Sequence, residues 1–127
     1  IGTFYVMLDR HREAVPYVKE VTDKNPTTES YSRLGHLYGM TGDWVFAKTA
    51  FSDALTIFPR EIDIFIARTS TLPDSLAQGE ALLQAAAFSA SNLLRIAQKD
   101  PDPAHLKLLQ DSYQPSRLRL KKALGQP

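Results

Sequence analysis

The sequence contains no cysteine, and it has only one tryptophan and two methionines among its 127 residues. The absence of cysteine excludes a disulfide framework, a thiolate zinc site and a thiol nucleophile. It is compatible with any cellular compartment. Apolar residues make up 43% and charged residues 23% of the chain, which is typical of one globular domain with one modest core.

The chain also lacks an excess of charge of either sign. It has 15 lysines and arginines against 14 aspartates and glutamates, which gives a formal net charge of +1. A nucleic-acid-binding surface is normally visible as a basic excess, and an acidic tail as the opposite. The balance therefore argues against a nucleic-acid partner.

No hydrophobic run is both long enough and free enough of charge to cross a membrane. The best candidate, Leu76 to Ala97, contains Glu80 and Arg95, and a charge at the membrane centre costs roughly 2.5–3.5 kcal/mol. We therefore predict no transmembrane segment in this fragment. Because the chain begins at Ile1, we expect it to be an excerpt of a longer protein. Its localisation stays open between the cytoplasmic and the periplasmic side of a complex.

Residues that could carry chemistry are few and scattered. The histidines, His11, His36 and His105, lie far apart, and no spacing typical of a metal site is present. The sequence contains no glycine-rich phosphate loop, and no nucleophile stands at a recognisable spacing from a base and an acid. We therefore expect no catalytic residues, no metal and no cofactor, and we expect that the protein is not an enzyme.

A repeat is the strongest positive feature of the sequence. Two segments match when one is shifted by 33 residues, from Ile1 to Leu34. The matching positions are Ile1, Gly2, Tyr5, Ala14, Val18, Val21 and Pro26 in the first segment, and Leu34, Gly35, Tyr38, Ala47, Phe51, Ala54 and Pro59 in the second. Self-similarity at this period is typical of helical repeat proteins.

The second segment resembles the tetratricopeptide repeat family. It reads Tyr31-x2-Leu34-Gly35-x2-Tyr38, followed by Ala47-x3-Phe51-x2-Ala54-x4-Pro59. The resemblance is clear over residues 1–61, with a first unit that lacks its opening residues, and degenerate beyond. It implies an all-α fold of antiparallel helix hairpins stacked as a short right-handed solenoid.

The spacing explains how each hairpin would form. Gly42 can adopt the left-handed conformation that ends the first helix, and Asp43 is placed to cap the second. Pro59 is expected to stop that second helix. Pro16 falls inside the second helix of the first unit, where a kink is expected.

The second half of the chain predicts helices without a clear repeat. We expect a short helix at Glu61–Arg68, a connector at Thr69–Pro73 and a long helix from Leu76 to about Lys99. A helix over Ala104–Tyr113, broken by Pro115, and a last basic helix from Ser116 to Leu124 follow. We interpret residues 62–127 as a degenerate repeat plus capping helices, so that residues 1–127 form a single α-helical domain.

The resemblance to tetratricopeptide repeats implies a concave groove lined by the first helix of each unit. The lining positions would be Thr3, Val6, Met7, Ser32, Arg33, His36, Gly39 and Met40. One subclass grips a carboxyl terminus with a lysine and an asparagine, but Ser32 and His36 occupy those positions here. The groove therefore favours a short amphipathic segment, and His36 is either a solvated groove residue or a ligand contact.

The C-terminal helix carries a basic tail of Arg117, Arg119, Lys121 and Lys122. It has three interpretations: a solvated face of a capping helix, a docking surface for an acidic partner, or a patch for nucleic acid or anionic membrane. As a further hypothesis, this helix itself occupies the groove.

Together these features predict a scaffold or adaptor module that binds a protein or peptide. The alternatives are a chaperone-like stabilising subunit of a secretion or assembly complex and an accessory domain of a larger enzyme. Self-association also stays open, because the same fold serves many functions.

Overall fold

The computed structural model describes residues 2–68 and 75–125, with the side chains of residues 10, 12–68 and 76–125. Its elements are α1 (Gly2–Lys24), α2 (Thr28–Met40), α3 (Trp44–Arg68), α4 (Ser75–Lys99), α5 (Pro103–Lys107), a π-helical segment (Leu108–Tyr113) and α6 (Gln114–Ala123). The described residues contain no strand. The predicted all-α class is therefore confirmed. The connector predicted at residues 69–73 lies outside the described residues.

Helices α2 and α3 form an antiparallel hairpin. Thr27 caps α2: its side-chain oxygen accepts from the N–H of Ser30, and Ser30 Oγ accepts from the N–H of Thr27 at 2.9 Å. Gly42 has a φ of +84°, as its place in the turn requires. Asp43 directly precedes α3, and its carbonyl accepts from the N–H of Ala47.

Pro59 does not stop the helix as predicted. Helix α3 passes through it and continues to Arg68, so the separate helix expected at Glu61–Arg68 is the last part of α3. A proline inside a helix costs about 3 kcal/mol. Phe58 lies before Pro59 and Ile62 after it, one turn apart on the same face of α3, and both side chains are fully buried. Each such burial contributes roughly 1.5–3 kcal/mol. The core contacts on both sides of Pro59 therefore offset its cost.

The first segment also differs from the expected hairpin. The 33-residue shift aligns the turn at 41–43 with residues 8–10, but α1 runs through these positions as one helix. The first segment has Asp9 where the second has Gly42. Aspartate adopts the left-handed conformation less readily than glycine does, so this position gives the helix a weaker signal to end. Helix α1 packs against α2.

Helix α4 packs against both members of the α2–α3 hairpin. It runs antiparallel to α3, because Phe88 contacts Phe51, whereas Gly79 lies against Phe65 near the other end of α3. It runs parallel to α2, since residues 29–36 face residues 81–88 and residues 35–40 face residues 87–95. Helices α2 and α4 thus lie side by side on one surface.

The chain from α5 to α6 packs against α3 and α4 and completes a second hairpin with α4. The predicted break at Pro115 does not occur. In a regular α-helix the proline ring would collide with the carbonyl of Asp111. Instead, the chain widens into a π turn, in which the N–H of Gln114 donates to the carbonyl of Leu109, and helix α6 continues through Pro115.

One core joins the two hairpins. Its fully or nearly fully buried members are Ala47, Phe51, Leu55, Phe58, Ile62, Ala86, Ala90, Leu93, Leu109, Tyr113 and Leu120. Most of them come from α3 and α4, which cross the middle of the described structure. None of the described helices is long and apolar enough to span a bilayer.

We predict opposite effects for alanine at two glycines of α2. A Cβ at Gly35 would lie 2.7 Å from the ring of buried Phe51, whereas a Cβ at Gly39 would meet the Trp44 ring at an ordinary 3.5 Å. Overpacking should cost Gly35→Ala about 1–3 kcal/mol of unfolding free energy. Gly39→Ala should be neutral or gain up to about 0.5–1 kcal/mol from helix propensity.

Urea unfolding of both variants and the wild type checks this difference. Equal stability of the Gly35→Ala variant and the wild type would contradict the close helix contact. A large loss in Gly39→Ala would show that the control position is also tightly packed.

Candidate functional site

An open groove runs between α2 and α4. One half, of about 500 Å³, is lined from α2 by Gly35, His36, Gly39 and Met40, from α3 by Trp44 and Phe51, and from α4 by Ala87, Phe88, Ser91, Asn92 and Arg95. The other half, of about 570 Å³, is lined by Glu29, Ser32, Arg33, His36, Ala81, Gln84, Ala85 and Phe88. We call the two halves together the α2/α4 groove.

His36 and Phe88 line both halves of the α2/α4 groove. Their ring centroids are 5.5 Å apart, with the planes at 71°. This is a preferred edge-to-face arrangement of aromatic rings. Phe88 also meets Phe51 edge to face at 5.8 Å. The contact between His36 and Phe88 joins the two walls where the halves meet, and the contact between Phe88 and Phe51 connects the α4 wall to the core.

All five groove positions predicted in the second segment line the α2/α4 groove: Ser32, Arg33, His36, Gly39 and Met40. Their environments differ. Ser32 is only 6% exposed, so it offers little surface to a ligand. Arg33 is exposed and pairs with Glu29 at 3.3 Å, one helical turn away. The predicted positions Thr3, Val6 and Met7 lie on α1, and their side chains are outside the described residues.

The sequence did not predict the second wall of the groove. Helix α4 supplies it with small residues, Ala81, Ala85 and Ser91, around the exposed Phe88. Residues 62–89 carry no repeat signature, so the sequence pattern does not indicate a groove face there. An available sign was the run of small side chains on one face of a long helix, interrupted by one aromatic residue.

A second cavity continues the groove beyond Trp44. It has a volume of about 410 Å³ and is lined by Trp44, Val45, Lys48, Arg95, Ile96, Lys99 and Asp100. We call it the Trp44 pocket. Trp44 and Arg95 line both the pocket and the groove, so the two cavities adjoin. Trp44 is 52% and Val45 76% exposed.

Acidic residues of the α4–α5 loop neutralise Lys48 beside the pocket. Lys48 Nζ lies 3.2 Å from Asp100 Oδ2 and 3.5 Å from Asp102 Oδ2. The hydrogen bond to Asp100 is the main cause that raises the pKa of Lys48. The cluster ties the beginning of α3 to the loop after α4. Arg95 and Lys99 have no ion pair or hydrogen bond from their side chains within the described part of the chain.

Asp102 also begins helix α5. Its Oδ1 accepts from the N–H of Ala104 at 3.0 Å, and its Oδ2 lies 3.5 Å from His105 Nδ1. The bond to Ala104 lowers the pKa of Asp102, and the charges of His105 and Lys48 act in the same direction. Among the described residues, no group of three or more histidines and carboxylates is placed to hold a metal ion.

The basic tail does not form one continuous face. Arg119 pairs with Asp63 of α3, whereas Arg117 and Lys121 are half-buried and Lys122 is exposed. Burial raises the pKa of the neighbouring Tyr113 phenol, and the charge of Arg117 acts against that rise. The four basic side chains lie in different environments because Leu120, which stands between them in the sequence, is fully buried in the core.

The hypothesis that the C-terminal helix fills the groove is wrong. Helix α6 lies against α3 and α4 through Ser116 and Leu120, and no residue of it lines the α2/α4 groove. The physical reason is the amphipathic stripe of α6, which completes the core instead.

Comparison of the chain with protein-family models, curated proteins and solved structures gave no match.

We predict that Asp102→Asn destabilises the protein near neutral pH and has a smaller effect in acid. Asparagine retains an oxygen that can cap Ala104, so the variant tests the charge alone. A carboxyl group with a lowered pKa stabilises the folded state above its ordinary value of 3.8 and loses this effect as the pH falls through the lowered pKa. Thermal unfolding of the variant and the wild type, from neutral pH to below the lowered pKa, measures the difference in their melting temperatures. A difference in melting temperature that does not change with pH would refute the stabilising role of the Asp102 charge.

Proposed function

We propose that this chain is a protein-interaction scaffold that holds a peptide or a helix of a partner protein in the α2/α4 groove and performs no chemistry itself. The observation that carries the proposal is the open groove between two parallel helices, with the five predicted positions of the second segment on one wall. Its length and openness suit a chain segment better than a compact small molecule, because such molecules are usually enclosed by their pockets.

The arrangement of the hairpins supports a tetratricopeptide-like architecture for this scaffold. The α2–α3 hairpin and the hairpin of α4 with α5–α6 lie side by side, and α4 runs parallel to α2. This is the relation expected of neighbouring units in a right-handed solenoid, in which the first helices of successive units line one surface. In this proposal α4 is the first helix of the degenerate unit.

The side chains of the groove define the ligand further. The small side chain of Ala87 leaves room for a backbone to approach, and Met40 and Phe88 offer apolar contact. Asn92 donates its amide N–H to the carbonyl of Phe88 at 2.8 Å, so its amide oxygen is oriented as an acceptor for a peptide N–H. An extended or helical segment with one or two apolar side chains fits this combination.

A displayed library of short random peptides, selected on the wild-type protein, tests the proposal. We expect selected peptides to lose at least about tenfold in affinity, equivalent to about 1.4 kcal/mol, on the His36→Ala/Met40→Glu variant. The cause would be a charge placed where the ligand makes apolar contact. Fluorescence anisotropy of labelled peptides measures the affinity.

Leu118→Glu is the matched control, because Leu118 is an exposed apolar residue on α6, away from the groove. Thermal unfolding should show that both variants retain the fold. Peptides that bind the groove variant as well as the control would place the interface elsewhere, and failure to select any peptide would also contradict the proposal.

A further inference from the structure

The Trp44 pocket joins exposed apolar surface to unpaired positive charge. Trp44 and Val45 begin α3, and Ile96 forms the facing wall from α4. The indole ring of Trp44 covers Gly39 on one side, where a Cβ would lie 3.5 Å from the ring. The remaining exposed part of Trp44 faces outward, where a large aromatic side chain can serve as an anchor for a partner.

The charges of the pocket are unbalanced in the positive direction. The two aspartates of the α4–α5 loop are both engaged by Lys48. Arg95 and Lys99 are one helical turn apart on α4, so their side chains project on the same side. Both line the pocket, and neither has an anionic partner among the described residues. Three cations, Lys48, Arg95 and Lys99, stand against Asp100 and Asp102, so the pocket combines an apolar wall with a net charge of +1.

We propose that the Trp44 pocket binds a segment of a partner protein in which an apolar side chain is followed or preceded, within about one helical turn, by a carboxylate. The apolar side chain packs against Trp44, Val45 and Ile96. The carboxylate pairs with Arg95 and Lys99, and Arg95 can bind it through two parallel N–H donors. Charge complementarity selects this chemistry over a basic or purely apolar segment.

The inference rests on the proposed function, because the pocket continues the α2/α4 groove through Trp44 and Arg95. A partner segment that lies in the groove can reach the pocket without leaving the surface. The pocket then determines which segments bind: the groove supplies general contact, and the two cations discriminate by charge.

The experiment uses two displayed libraries that share one apolar residue and differ only in charge. One carries a glutamate and the other a lysine, three or four positions from the apolar residue. We expect the wild type to enrich the glutamate library, and its selected peptides to bind more weakly as salt is added. On the Arg95→Glu/Lys99→Glu variant, the preference should reverse to the lysine library.

Two single variants separate the pocket from the groove. Val45→Glu and Lys99→Glu alter residues that line only the pocket, and each should weaken the selected peptides by about tenfold. Val45 is mostly exposed, so its variant should retain the fold, which thermal unfolding checks. If the selected peptides lose affinity only for the His36→Ala/Met40→Glu variant, the proposed role of the Trp44 pocket is overturned and that of the groove stands. If the selected peptides lose affinity only for the Val45→Glu and Lys99→Glu variants, the proposed role of the groove is overturned and that of the pocket stands.

Equal enrichment of both libraries, or an unchanged preference in the charge-reversal variant, would overturn the proposed carboxylate contact. Failure to enrich either library would overturn the inference alone, because the proposed function is tested separately by the random peptide library.

Discussion

The contact between the Phe51 ring and the backbone of Gly35 brings the central helices together. The ring is 1% exposed and occupies the space that a side chain on Gly35 would need. On its other side it meets Phe88, so one aromatic residue of α3 connects α2 to α4. If this contact were wider, the two helices that line the groove would lose their common support. The groove is therefore a direct result of close packing beneath it.

Two prolines show how the core governs the course of the chain. Pro59 and Pro115 both lie inside helical segments, and each removes a backbone donor. At Pro59 the buried side chains on either side hold α3 together as a single element of 25 residues, roughly 37 Å long. That length allows the first half of α3 to pack on α2 and the second half to receive α6. At Pro115 the chain widens instead, because the cost can be reduced locally by a π turn.

The turn between α2 and α3 could be predicted from the second segment of the repeat, since the features of a turn are local, whereas the predicted stop at Pro59 in the same segment was wrong. The positive φ of Gly42 and the helical conformation of Ser32 to Met40 depend on residues within one hairpin. The groove wall of α4 could not be inferred in the same way, because it exists only where α4 crosses α2 and α3. The continuation of α3 beyond Pro59 also depends on distant contacts, namely those of Phe58 and Ile62 with the second hairpin.

The π-helical segment has a consequence for the order of residues around α6. A bond from residue i to i+5 encloses one residue more than a bond to i+4, and each residue of an α-helix advances the chain by about 100° around the axis. The segment therefore adds one residue between α5 and α6, which rotates the side chains of α6 by about 100° around the helix axis relative to those of α5. Helix α5 is held at its start by Asp102 and Lys48. Removal of one residue from Leu108–Tyr113 would turn Leu120 away from the core and bring basic side chains into its place.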